Sequence, residues 1–271
     1  MRPLLPVLAL IALAGSAGAQ VADLVDRSAL RVCADPANSP MSDKDGSGFE
    51  NRIAELLGQA LGRPVRYTWF PQVNGFVRKT LAAGECDLVM GYAQGDELVL
   101  NTNHYYVSTH VLVTRPGDPL AAVERLEDPA LQGHRLGVVV GSPPATYLAR
   151  GGLMKLAKPY DLMVDRRVEN PAGQMLDDLQ AGVIDGALLW GPIGGPLAKA
   201  RGLSVMPLVH ETASPKLWYR ITMGVRQGET DWKHEINSQI RRNQEAIDRI
   251  LVEAGVPILN DYGTEPKQVA N

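Results

Sequence analysis

Leu81-Ala82-Ala83-Gly84-Glu85-Cys86-Asp87 returns 98 residues later as Leu179-Gln180-Ala181-Gly182-Val183-Ile184-Asp185. Both copies run from a helical pattern into a short apolar strand, so the chain reads as two similar α/β lobes. Two such lobes enclose a cleft, and ligands of open α/β sheets bind outside the carboxyl ends of the strands.

Around the first copy, Ala29 to Cys33 reads as a strand, and Asp35 to Pro40 as the loop leaving it. Ile53, Leu56, Leu57, Ala60 and Leu61 share one helical face that Gly62 closes. Val65, Tyr67 and Trp69 alternate as a strand. A second helix carries Val73, Phe76, Val77 and Leu81, Gly84 ends it, and Asp87 to Gly91 forms a third strand. That order demands parallel pairing through right-handed crossovers.

The second lobe repeats the scheme with strands at Arg135 to Val140, Leu162 to Arg166 and Ile184 to Trp190. Asn170 caps a helix with Pro171 at its first position, Met175, Leu176 and Leu179 face its core, and Gly182 stops it. Extended segments Ser108 to Thr114 and Arg220 to Val225 bracket this lobe, so the first lobe is discontinuous: 20–111 with 222–271, around 112–221. A terminal helix with Ile236, Ile240, Ile247, Ile250 and Leu251 on one face packs back on the first lobe or bridges the hinge.

At the amino end, Met1-Arg2 precedes an apolar run from Leu4 to Leu13, and Ala17-Gly18-Ala19 offers a small-x-small site before Gln20. Residues 1–19 therefore read as a secretory signal cleaved after Ala19, and the mature protein is expected to be exported to the periplasm. The run falls short of the ~20 residues a membrane span needs. Without Arg2 the basic residues fall from 27 to 26 against 30 acidic ones, a net charge of −4. This charge is a poor footprint for nucleic acid or anionic lipid, and suits small molecules or other proteins.

Cys33 and Cys86 can pair in an oxidising compartment. Against that, Cys33 sits toward the end of its strand and Cys86 just before its own. If the strands start level, three to four residues of offset at about 3.3 Å each separate the sulfurs too far. A disulfide and two buried thiols both stand as readings.

In order and spacing the elements resemble the type II periplasmic solute-binding protein fold, two Rossmann-like lobes joined by a two-strand hinge. More narrowly, Arg31-Val32-Cys33-Ala34-Asp35-Pro36, Gly48-Phe49-Glu50-Asn51, Tyr67-Thr68-Trp69-Phe70-Pro71-Gln72 and Gly75-Phe76-Val77-Arg78 resemble the MxaJ/XoxJ group, and within it the XoxJ branch. This is the J protein of methanol-dehydrogenase clusters. The resemblance implies a role in activation or maturation of a pyrroloquinoline-quinone (PQQ) methanol dehydrogenase, calcium-dependent in one branch and lanthanide-dependent in the other. The implied partners are its large subunit and its cytochrome c.

Amino-acid receptors of this fold hold the ligand carboxylate with an arginine after the third strand. The matching position here is Leu98. They also offer backbone N–H groups at a second-lobe helix start, where the dipole favours an anion. The matching loop here is Gly141-Ser142-Pro143-Pro144, and its two prolines carry no N–H. The acid that meets the ligand ammonium is matched by Trp190, which has no carboxylate. Each lost charged contact costs about 1.5–3 kcal/mol, which argues against conventional amino-acid capture.

Trp190 ends a strand before Gly191-Pro192 and is expected to face the crevice; Tyr92, Tyr105 and Tyr106 are placed in loops on the same edge. Trp69 and Phe70 join them as candidates, with Trp69 and Tyr67 equally readable as core. Aromatics in an open cleft are anchors for a protein segment.

Metal signals are thin. Asp43-Lys44-Asp45-Gly46 with Glu50 has the wrong spacing for a calcium loop. Six residues of strand hold His104 and His110 about 20 Å apart. No Gly-x-Ser-x-Gly elbow, P-loop or His-Glu-x-x-His helix is present, so neither a resident cofactor nor a catalytic residue is expected. The sequence thus points to a monomeric, non-catalytic accessory protein with an apolar cleft. The competing readings are a receptor for a small apolar or aromatic solute and, more distantly, a dehydratase-like enzyme.

Overall fold

The computed structural model describes residues 24–162, 164–165 and 168–269. The expected signal segment lies outside them.

The first half runs β1 (Leu30–Ala34), a small hairpin of β2 (Ala37–Asn38) and β3 (Ser42–Asp43), α1 (Phe49–Leu61), β4 (Val65–Trp69), α2 (Phe76–Lys79) and β5 (Leu88–Ala93). Then the long β6 (Leu100–Thr114) leads into β7 (Leu136–Val139), α3 (Pro143–Arg150), β8 (Lys158–Tyr160), α4 (Pro171–Gln180), β9 (Gly186–Trp190), α5 (Gly191–Ala200) and β10 (Ser204–Pro207). The chain returns through β11 (Trp218–Val225) and ends in α6 (Thr230–Arg242) and α7 (Gln244–Ala254).

One sheet of nine strands has the order β4-β1-β5-β11-β6-β9-β7-β8, with β10 also on β6. β1 pairs in parallel with β4 and β5, and β7 in parallel with β8 and β9, as the two strand–helix–strand repeats require. Only β11 and β6 run through the middle, antiparallel to each other over Trp218–Val225 and Leu100–Thr109. The lobe boundaries expected after Val111 and Ile221 fall inside these two strands.

Side chains alternate across the sheet, and each half buries both faces. In the first half Leu30, Val32, Leu88 and Met90 join α1, α6 and α7, while Cys33 and Val89 face Phe76, Val77 and Leu81. In the second, Leu112, Val138 and Leu188 face one way and Val111, Ala187 and Leu189 the other, against Met175, Leu176 and Leu179 of α4. The cap readings hold: Gly62 closes α1 at φ 66°, and the Asn170 side chain accepts from Gly173 N–H at 2.9 Å.

Two expectations are corrected. The second-lobe edge strand lies at Lys158–Tyr160; the strand expected at Leu162 to Arg166 falls partly outside the described residues, and Leu162, Val164 and Asp165, which are described, are not in a strand. Leu162 is exposed, whereas Tyr160 is buried and its hydroxyl lies 2.5 Å from Asp178 Oδ2. Pro159 hid this strand, since proline is tolerated only at an edge. The single terminal helix is two helices that meet at Asn243, whose side-chain amide donates to the Gln239 carbonyl at 2.8 Å and competes with the backbone ladder. Both pack on the first half.

Of the two readings left open for the cysteines, the structure shows the disulfide: Cys33 and Cys86 are bonded, with Cα atoms 5.6 Å apart. The expected offset is real, because Cys33 pairs with Val89, three residues beyond Cys86. The chain does not run straight back along β5, however. It turns at Gly84, in the left-handed region at φ 79°, which carries Cys86 across β1.

Candidate functional site

At the carboxyl ends of β7, β8 and β9 lies a cavity of about 520 Å³, closed from the first half by the β2–β3 hairpin. Its volume is within the usual range for a small-ligand site. Leu188, Leu189, Trp190, Ile193, Val139 and Pro143 supply most of its apolar wall, and Ala37, Asn38, Ser39 and Asp43 its opposite side. Asp43, Asp161 and Glu169 place three carboxylates on it, with no Lys or Arg among the described lining residues.

Trp190 is half-buried at the end of β9 and lines the cavity. The next residue must be glycine, because a Cβ on Gly191 would meet the Thr109 carbonyl oxygen at 2.4 Å. That close approach pins the indole against the hinge strands. Across the ladder from Trp190 is His110, with ring centroids 5.2 Å apart. Tyr219 of β11 stands edge-on to Trp190 at 5.7 Å. His110 Nδ1 lies 2.8 Å from the Leu217 carbonyl, and burial, opposed by that hydrogen bond, pushes its pKa down to about 4. Near neutral pH the ring is therefore uncharged.

The loop ahead of α3 reaches the cavity in part. Ser142 and Pro143 line the cavity, and Pro143 and Pro144 leave the helix start without its first two N–H groups. Ser142 Oγ donates to the Val139 carbonyl at 2.7 Å instead of capping the helix. Pro144 is buried in α3 and does not reach the cavity.

Other candidates lie elsewhere. Leu98 is 67% exposed, in the turn before β6 and away from the cavity. Tyr105 and Tyr106 are not loop residues: β6 begins at Leu100, and both are buried in the first-half core, edge to face at 4.8 Å. Trp69 stacks on Tyr67 at 4.5 Å along the outer strand β4. Phe70 packs on Phe76 at 6.3 Å, and half-buried Tyr92 packs in the same cluster, where burial pushes its pKa up to about 12.

Sequence reasoning missed His110 as a cleft residue, the β2–β3 hairpin, and the acids Asp161 and Glu169. It weighed Glu50 only as the end of a calcium loop and gave no sign of its burial beneath that hairpin. Burial raises the Glu50 pKa to about 7, with the Tyr105 hydroxyl within reach and pulling the other way. Even so, Glu50 Oε1 and the hydroxyls of Tyr105 and Tyr106 make no hydrogen bond of good geometry. Gly91 makes room for the carboxyl, since a Cβ there would meet Glu50 Oε1 at 2.5 Å. No cluster of three or more His, Cys, Asp or Glu suited to a metal ion occurs among the described residues. His104 contacts Asp261 at 3.2 Å, far from the environment of His110.

The model of bacterial extracellular solute-binding proteins, family 3, matches residues 30–251. Protein MoxJ of Methylorubrum extorquens AM1 is 31% identical over 251 residues, 86% of this chain and 83% of that one. MoxJ of Paracoccus denitrificans is 27% identical over 252 residues, 87% of this chain and 91% of that one. The crystal structure of the periplasmic binding protein XoxJ from Methylobacterium extorquens AM1 superposes with a TM-score of 0.73 at 40% identity, covering 86% of this chain and all of that one. The chain therefore belongs to family 3 of the bacterial extracellular solute-binding proteins and, within it, to the XoxJ/MxaJ type.

Proposed function

We propose that this protein is a non-catalytic periplasmic accessory factor that holds a segment of a PQQ-dependent methanol dehydrogenase, of the lanthanide type, in its interlobe cleft during activation or maturation. In this reading the leader is cleaved after Ala19 and the mature chain works as a monomer. Its lobes are 20–111 with 222–271, and 112–221. The quinone and metal belong to the dehydrogenase, whose large subunit is the partner, with its cytochrome c as a second contact.

One observation carries this reading. The wall that meets a zwitterion in amino-acid receptors offers the Trp190 indole, Pro143, Pro171 and aliphatic side chains, with no Lys or Arg among the described lining residues. A free amino acid entering such a wall can bring its ammonium to Asp43, Asp161 or Glu169 but leaves its carboxylate without a cationic partner among the described lining residues, and an unpaired charge costs several kcal/mol to desolvate. A peptide segment has no such charges on its backbone, and aromatic anchors in a groove suit it.

The test is reconstitution of dehydrogenase activity with and without this chain, and with Trp190→Ala. Loss of activation on deletion and a marked loss with Trp190→Ala support the proposal. Full activation without the chain defeats it.

A second reading, a receptor for a small apolar or aromatic solute, is favoured by the cavity volume of about 520 Å³. A ligand at 100 times its dissociation constant adds about 2.7 kcal/mol to stability. A clear melting shift with a quinone or aromatic compound would favour it over the accessory role.

A further inference from the structure

The carbonyl of Leu217 can only accept, so the contact at 2.8 Å places the His110 proton on Nδ1. A neutral imidazole in this tautomer carries a lone pair on Nε2. His110 lines the cavity, and its Nε2 is bonded to no described residue. The ring cannot swing to present a donor instead. Turning it would break the Nδ1 bond, and Trp190 at 5.2 Å and Tyr219 at 6.5 Å flank it. The floor of the cleft therefore presents a fixed acceptor between aromatic rings. Asp43, Asp161 and Glu169 add acceptor oxygens around it.

We infer that His110 is the specificity-determining residue of the cleft, selecting an uncharged or basic peptide segment that presents an N–H beside an apolar side chain and rejecting a carboxylate. The inference rests on reading the cleft as a peptide groove and names the chemistry of its occupant. An amide N–H meets the Nε2 lone pair as a donor should. A carboxylate oxygen brings lone pair against lone pair and leaves Nε2 unpaired once water is expelled. The acids on the wall act in the same direction through charge, but that part is screened by salt whereas the contact at Nε2 is not.

The test is calorimetric titration of the mature chain with N-acetylphenylalaninamide and N-acetylphenylalanine, which share the phenyl ring and the acetamide N–H and differ at the other end, a neutral donor amide against a charged carboxylate; 0.5 M salt screens the charge difference. The amide is expected to bind about tenfold tighter to the unaltered protein, the scale of one good hydrogen bond against an unpaired group. His110→Phe keeps the aromatic wall and should bring the ratio to about threefold or less. His110→Gln can still accept through its side-chain carbonyl and should keep most of the preference. Equal binding of the two probes, no binding of either at 10 mM, or an unchanged ratio in His110→Phe would each overturn the inference. If His110→Phe does not fold, the ratio for the unaltered protein and His110→Gln decides. Activation of the dehydrogenase is measured without these probes, so a selective cleft with no role in activation, or the reverse, is told apart.

Discussion

Arg31 Nη2 lies 2.6 Å from Asp87 Oδ1, and its Nη1 donates to the Gly84 carbonyl at 3.1 Å. The second copy of the motif repeats the exchange: Arg135 Nη2 lies 2.9 Å from Asp185 Oδ1 and 2.9 Å from the Gly182 carbonyl. In both lobes the arginine at the start of one strand thus ties down the turn that delivers the next. The copies differ in burial, because the Asp87 side chain is 1% exposed and also takes Arg226 at 2.8 Å, while Asp185 is 19% exposed. Removing one partner from a buried pair costs about 3–5 kcal/mol, and from a partly solvated one about 1 kcal/mol. Asp87→Asn should therefore destabilise far more than Asp185→Asn in urea titrations. Equal losses would contradict this account.

Glu50 and His110 pull stability in opposite directions with pH. Glu50 rises from 4.5 to about 7 on folding, so its contribution is complete below pH 4.5 and is lost as pH climbs through 7. His110 falls from 6.5 to about 4, so its contribution is complete above pH 6.5 and is lost as pH drops through 4. Each full swing is about 3 kcal/mol. Between pH 4.5 and 6.5 the two slopes cancel. Glu50→Gln should therefore be more stable than the unaltered protein at pH 8, and should lose stability on acidification from 6.5 to 4. A series of urea midpoints across this range measures it, and a Glu50→Gln curve parallel to the parent curve would show that the carboxyl does not titrate there.

The Cys33–Cys86 bond closes a loop with a separation of 53 residues across the first half of the sheet. Restraining the unfolded chain over a loop of that size is worth about 2–4 kcal/mol. Cys86→Ser, with Cys33→Ser beside it, should lower the urea midpoint accordingly. Dithiothreitol should lower the parent protein's midpoint and leave the double variant's unchanged. A parent protein insensitive to reductant would mean the bond does not form in solution.

How far the sequence could be read follows from how local each signal is. The repeated motif, the Gly62 and Asn170 caps and the parallel lobes depend on neighbours within a few residues, and all were legible. α5 was not, because Gly191, Pro192, Gly194, Gly195 and Pro196 look like a loop. Yet a Cβ on Gly195 would meet the Gly255 carbonyl oxygen at 2.2 Å, so these glycines serve tight packing of a helix. Asn101, Thr102, Asn103 and His104 likewise disguised the first part of β6, and with it the burial of Tyr105 and Tyr106. In the site, Trp190 was readable from its place at a strand end. The pairing of His110 with Trp190 depends on sheet register across 80 residues and has no local signal.

Gly91 and Glu50 offer a separable test of the buried carboxyl. Gly91 sits at φ 78°, a left-handed conformation that costs an L residue about 1–2 kcal/mol. A Cβ there also meets Glu50 Oε1 at 2.5 Å and the Met41 methyl carbon at 3.3 Å. Gly91→Ala should therefore cost more than the backbone penalty alone, by about 1–3 kcal/mol of overpacking. In a Glu50→Ala background the carboxyl is gone and only the backbone penalty should remain. The double-mutant cycle reads the difference directly as a coupling energy. A coupling near zero would place the Glu50 side chain away from Gly91 in solution, and would remove the burial on which its raised pKa depends.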